Sequence, residues 1–214
     1  MKMDMKEVFQ ANPVLAIMRN VPFEKTVPYA QAAFDGGVKI FEVALNSPRG
    51  LEQITVLRKH FGEAAQIGAG TAITRDKAKA AMEAGAMFLL TPSAPVEVLE
   101  FAAAGKLPFL PGVLTPTDVG LCISYGYRTL KLFPAGDMPS SYVKSLKGPF
   151  DDTDYVAIGG VTPDNIHEFF KAGYLGAGLG SNLFPKEYVA ENAWEKAAKH
   201  VAYMLKQAGL GDKS

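Results

Sequence analysis

Short β-rich runs recur roughly every twenty to twenty-five residues along this chain, and a helical pattern follows almost every one. The runs are Val14 to Met18, Val38 to Leu45, Gln66 to Thr71, Phe88 to Thr91, Pro108 to Val113, Thr129 to Phe133, Tyr155 to Gly159, and Leu175 to Leu179. Between them lie patterns such as Asp76 to Ala84, most closing on glycine, as at Gly36-Gly37, Gly85, Gly105, Gly126 and Gly173. Ser47-Pro48, Thr115-Pro116 and Thr162-Pro163 each offer a capping hydroxyl followed by a proline suited to the first helical turn, and Thr91-Pro92 is a fourth candidate. Such alternation calls for a parallel sheet covered by helices. Eight units fill the 214 residues with no linker or composition shift, so one α/β domain, residues 1–214, is expected. The expected fold is a (β/α)8 TIM barrel with Met1 to Gln10 as an extra N-terminal helix. The alternative, an open doubly wound sheet, would gather its glycines and hydroxyls at one switch point; here they are spread over many strand ends.

In a barrel, chemistry belongs at the carboxyl ends of the strands. Lys131 stands out there, because Thr129-Leu130-Lys131-Leu132-Phe133-Pro134-Ala135 is otherwise an apolar run ending at a proline. Desolvation lowers a lysine's pKa, and a neutral amine is what a Schiff-base nucleophile requires. A structural ion pair, or a side chain reaching out from a strand end, is the competing explanation for such a residue. Strand alternation puts Ile40, Glu42 and Ala44 on one face of the second run, and Thr129, Lys131 and Phe133 on one face of the sixth. If both faces point inward, a carboxylate and an amine share the barrel, a pair suited to carbonyl chemistry. The other strand ends offer Arg19, Asn46, Thr71, Pro92-Ser93, Gly112 and Thr115. Gly159-Gly160 and Gly180-Ser181, after the last two strands, supply amides and helix starts with almost no charge. In this fold that suits a phosphate.

Twenty-two basic residues balance twenty-two acidic ones, so no overall field recruits nucleic acid or an anionic membrane. The first residues are too charged for a signal peptide, and no apolar stretch is long enough to cross a bilayer; a cytoplasmic protein is expected. Cys122, the single cysteine, reads as a small buried hydrophobe. His60, His167 and His200 lie far apart with no ligand spacing, and no dinucleotide fingerprint or phosphate-loop lysine is present, so neither metal nor cofactor is expected. Trp194, Phe184, Tyr188 and Tyr203 read as a helix packing stripe.

Several segments together resemble one family: Pro13 to Arg19, Phe41 to Pro48, Ile67 to Thr71, Pro111 to Pro116, Leu130 to Ala135 and Gly159 to Val161 are similar to the class I aldolases of 2-keto-3-deoxy-6-phosphosugar acids. The likeness runs over nearly the whole chain in order. It implies cleavage of 2-keto-3-deoxy-6-phosphogluconate, or its galactonate epimer, to pyruvate and glyceraldehyde 3-phosphate by a homotrimer of (β/α)8 barrels. Related members cleave 4-hydroxy-2-oxoglutarate. By the same resemblance Lys131 forms the imine and Glu42 shuttles protons, while Arg19 and Thr71 hold the pyruvate carboxylate. Pro92 and Phe133 wall the pocket, and Gly159, Gly160, Gly180 and Ser181 receive the phosphate. Gluconate-type members usually carry arginine in place of Asn46 and threonine in place of Ile158. Asn46-Ser47-Pro48, Ile158 before the glycine pair, and Gly176 to Ser181 instead match galactonate-type members, which favours that epimer. Two other readings stay open: a sugar-phosphate isomerase or epimerase barrel with Glu42 as base, and a non-catalytic barrel that binds phosphoanions.

Overall fold

A computed structural model of the protein describes residues 4–210. Its strands are β1 (Val14–Met18), β2 (Ile40–Ala44), β3 (Gln66–Gly70), β4 (Phe88–Leu90), β5 (Phe109–Leu110), β6 (Gly112–Val113), β7 (Thr129–Leu132), β8 (Asp154–Ile158) and β9 (Gly176–Leu179). All neighbouring pairs are parallel, in the order β5-β4-β3-β2-β1-β9-β8-β7-β6. The two end strands are halves of the fifth expected run, separated at Pro111, so the ring closes through the chain itself into a (β/α)8 barrel. Proline has no amide hydrogen for the ladder, which accounts for the break. Its carbonyl still accepts a hydrogen bond from the Lys131 amide at 2.9 Å, so Pro111 holds the backbone of β7 at the key lysine.

The helices are α1 (Met5–Ala11), α2 (Thr26–Asp35), α3 (Gly50–Phe61), α4 (Arg75–Glu83), α5 (Val96–Gly105), α6 (Pro116–Ser124), α7 (Tyr142–Lys147), α8 (Ile166–Ala172), α9 (Lys186–Ala190) and α10 (Trp194–Gln207). None among the described residues is long and apolar enough to cross a membrane. Side chains alternate across the strands. Phe41, Val43, Leu130 and Leu132 pack outward into the helix layer, whereas Leu15, Ile17, Ile40, Phe88, Leu90, Leu110, Val156 and Ile158 fill the interior. The extra helix α1 adds Met5 and Phe9 to that inner cluster and closes the base. Asp4 caps its start by accepting from the Lys6 amide, and the Lys6 ammonium meets Asp154 on β8 at 2.8 Å. The first three residues of the expected helix lie outside the described residues.

Three of the four expected helix starts need correction. Thr115 does cap α6, in a reciprocal capping box with Asp118 and with Pro116 as the first helical residue. Ser47 instead turns back to accept the Asn20 amide at 2.9 Å, and α3 begins only at Gly50 after a left-handed Arg49. Thr162 and Asn165 exchange side-chain and backbone hydrogen bonds around a turn, which delays α8 to Ile166. The Thr91 hydroxyl donates to the Ser93 carbonyl, and α5 starts at Val96. In each case a hydroxyl has a partner nearer than a helix amide. Tyr203 is 64% exposed and lies outside the expected packing stripe, while Phe184 packs edge-on to Tyr29 and Trp194 is half-buried against the outer core.

Candidate active site

Parity puts Lys131 and Glu42 on inward positions of β7 and β2, and both are almost fully enclosed, at 4% and 1% exposed. Their neighbours along the ladders fix the level: Lys131 lies between Gly112 and Val156, and Glu42 between Ile17 and Gly68. Burial lowers the Lys131 pKa from its usual 10.5 to about 8; Glu42 opposes this and Arg19 reinforces it. Burial likewise raises Glu42, against the pull of Lys131 and Arg19. Among the described residues Lys131 and Glu42 form no salt bridge, and Glu42 Oε2 has no hydrogen-bond partner. The Lys131 ammonium lies 5.0 Å from the centre of the Phe133 ring, close enough for cation–π attraction when charged. At pH 7 roughly a tenth of this amine is then free base, far more than an ordinary lysine supplies, and it shares the barrel interior with the Glu42 carboxyl.

Above them opens a cavity of about 280 Å³, lined by Ile17, Arg19, Phe133, Ile158 and the glycine segments after β8 and β9. Three larger cavities, about 450 and 600 Å³ at the strand starts beside α1 and about 430 Å³ between α3 and α4, are lined by none of the three charged site residues, whereas Arg19 lines the smaller one. Chemistry therefore sets the smaller one apart. Gly159 and Gly160 hold consecutive left-handed φ values of 88° and 74°, a conformation that L side chains strain to adopt. Their loop's amides at Gly160 and Val161, and that of Ser181 across the cavity, find no acceptor among the described residues. Neither loop runs directly into a helix as expected, since α8 and α9 begin at Ile166 and Lys186. An anion here would meet free backbone N–H groups, with little contribution from a helix dipole.

The remaining expected site residues, Thr71, Pro92 and Asn46, fall at the same end of the barrel, but like Lys131 and Glu42 they are not among the residues that line this cavity. Thr71 follows β3 with φ 57°, an uncommon strained conformation for threonine. Pro92 backs Gly112 so closely that a Cβ on the glycine would sit 2.4 Å from the proline carbonyl carbon. Asn46 lies exposed in the turn after β2, outside the residues that line the cavity. Sequence reasoning passed over Asn20, Asn182 and Gly136. Asn20 and Asn182 line the cavity, and the Gly136 amide donates to the Gly159 carbonyl at 2.8 Å. The position of Asn20 directly after Arg19 was the one available signal. No cluster of metal-ligating side chains occurs among the described residues. Cys122 is buried, with its thiol pushed up to about 12, and is inert.

A weakly basic buried amine, a partner acid and an anion-receiving rim at the mouth of a (β/α)8 barrel define a Schiff-base aldolase. A family model described as KDPG and KHG aldolase matches residues 5–200. The chain is 32% identical over 190 residues to the 2-dehydro-3-deoxy-6-phosphogalactonate aldolase of Escherichia coli K12, covering 88% of this chain and 93% of that protein. It is 33% identical over 192 residues to the 2-dehydro-3-deoxy-phosphogluconate aldolase of Pseudomonas aeruginosa, covering 87% and 84%. Among solved structures, a KDPG aldolase from Legionella pneumophila, with pyruvate captured as a covalent carbinolamine, superposes with a TM-score of 0.87 at 27% identity, covering 95% and 99%. The chain belongs to the KDPG and KHG aldolase family and is a lyase.

Proposed function

We propose that this enzyme cleaves 2-keto-3-deoxy-6-phosphogalactonate, and its gluconate epimer less efficiently, to pyruvate and glyceraldehyde 3-phosphate. The observation that carries the reading is the buried amine of Lys131, lowered to about 8 next to Glu42. Lys131 Nζ attacks the C2 ketone, and the carbinolamine loses water to give the iminium. Glu42 takes the C4 hydroxyl proton as the C3–C4 bond breaks, and the bond's electrons pass into the iminium to form an enamine. Glyceraldehyde 3-phosphate leaves, Glu42 returns the proton to C3, and water releases pyruvate from Lys131. Arg19, which the electrostatics couple to both groups, receives the carboxylate with Thr71. Phe133, Pro92 and Ile158 keep the amine dry, and the amides of Gly159, Gly160, Gly180 and Ser181 hold the phosphate. The galactonate preference rests on Ile158, which offers the cavity bulk without a hydroxyl. The family likeness extends the reading to a homotrimer in the cytoplasm.

An isomerase would use Lys131 as a permanent cation, and burial, which lowers its pKa to about 8, works against that role and towards a nucleophile. Borohydride in the presence of pyruvate, followed by intact mass and peptide mapping, tests the reading: one reduced pyruvate on Lys131 is expected, with a trapping rate that rises as pH increases through about 8. An adduct on Lys39, Lys144 or Lys147, or no adduct, would overturn it.

A further inference from the structure

Five inward-facing glycines in the barrel, Gly112 against Pro92 among them, stand where any side chain would collide with a neighbour. At Gly68 a Cβ would fall 2.3 Å from the Phe88 ring; at Gly178, 2.3 Å from Ile158 Cδ1; at Gly176, 2.5 Å from the Phe9 ring. Those three make room for apolar packing. Gly70 differs, because a Cβ there would lie 1.3 Å from Glu42 Oε1, 2.1 Å from its carboxyl carbon and 2.6 Å from Cγ. The register explains this: β2 and β3 pair Glu42 with Gly68 and Ala44 with Gly70, so the Glu42 side chain leans one step along the strand into the space over Gly70. No hydrogen bond to Oε2 and no salt bridge to Glu42 occurs among the described residues, which leaves only the longer-range pull of Lys131 and Arg19 on the carboxylate.

We propose that Gly70 is a positioning residue for proton transfer: its missing side chain forms the seat of the Glu42 carboxylate and so sets where the acid meets the Lys131-bound substrate. This rests on the reading of Glu42 as the proton shuttle. Shape takes the place that hydrogen bonds hold around most buried carboxylates. A methyl group at Gly70 displaces the acid while leaving Lys131, Arg19 and the glycine rim in place.

The test joins kinetics to a stability cycle. Gly70→Ala should lower kcat by roughly two to four orders of magnitude, as Glu42→Gln should, with little change in KM, and borohydride should still trap pyruvate on Lys131. Gly70→Ala should lower the urea midpoint clearly in the wild-type background and hardly at all when combined with Glu42→Ala, because the colliding group is then gone. Should Gly70→Ala alone fail to fold, a folded Glu42→Ala/Gly70→Ala protein supports the proposal, and an unfolded one overturns it. Equal destabilisation in both backgrounds, or an unchanged kcat in Gly70→Ala, also overturns it. The parent reading fails separately: full activity in Glu42→Gln would remove the shuttle role while leaving the stability coupling intact.

Discussion

Replacing Lys131 with methionine keeps the bulk and removes the charge, so the fold should recover what burying an ammonium costs, by an amount that depends on pH. Lys131 is 4% exposed, and burial is the main reason its pKa falls from 10.5 to about 8. The unfolded chain therefore holds this proton up to about pH 10.5, whereas the folded protein releases it near 8. Between those values the unfolded state binds more protons, so wild-type stability rises with pH by about 1.4 kcal/mol per pH unit, and by about 3 kcal/mol in all. That contribution is complete above 10.5 and lost as pH falls through 8. Lys131→Met has no such proton. The stability advantage of the variant over wild type should then be greatest below pH 8 and shrink by about 3 kcal/mol by pH 10.5. Burial raises the pKa values of Tyr29, Tyr127 and Tyr174, which weakens both proteins at alkaline pH and cancels in the difference. Urea unfolding followed by Trp194 fluorescence, at intervals from about pH 7.5 to 10.5, measures it. A difference flat to within about 1 kcal/mol would refute the idea that burial keeps this amine near neutrality.

Ile158→Thr should move the epimer preference towards gluconate by about tenfold or more, because a hydroxyl on the cavity wall can pair with a substrate hydroxyl where an apolar wall discriminates by only about 1–3 kcal/mol. Specificity constants for both phosphorylated epimers decide this; a strong wild-type preference for gluconate, or no shift in the variant, counts against it. Phe9→Ala should destabilise the fold by about 3–5 kcal/mol, since the fully buried ring plugs the barrel base, while kcat at moderate temperature stays near wild type. A large loss of kcat in a folded Phe9→Ala protein would show that the base is coupled to the chemistry.

What could be read from the sequence divides along a physical line. Parallel strands buried on both faces appear as apolar runs, so all eight were legible to within one or two residues at their ends, and the fifth is split at Pro111. Lys131 was visible because a cation in such a run conflicts with its surroundings, and Glu42 followed from parity along one strand. Local rules failed where the partner lay elsewhere in the chain. Ser47 looked like a helix cap until the fold brought the Asn20 amide to its hydroxyl.

Gly70 marks the far end of that division. Within Ile67 to Thr71 it reads as one more small residue in a strand, and no property of the side chain distinguishes it from Gly68 two positions earlier. Its contribution is a volume whose occupant is set by the register between β2 and β3, and that register depends on the closure of the whole ring. A functional carboxylate in a dry barrel cannot be held by solvent, and a strong ion pair to Lys131 would favour the charged amine and work against the nucleophile. Seating the acid in a gap left by glycine avoids both problems. It leaves the carboxyl free to exchange its proton with substrate and leaves Lys131 near the pKa at which it can attack.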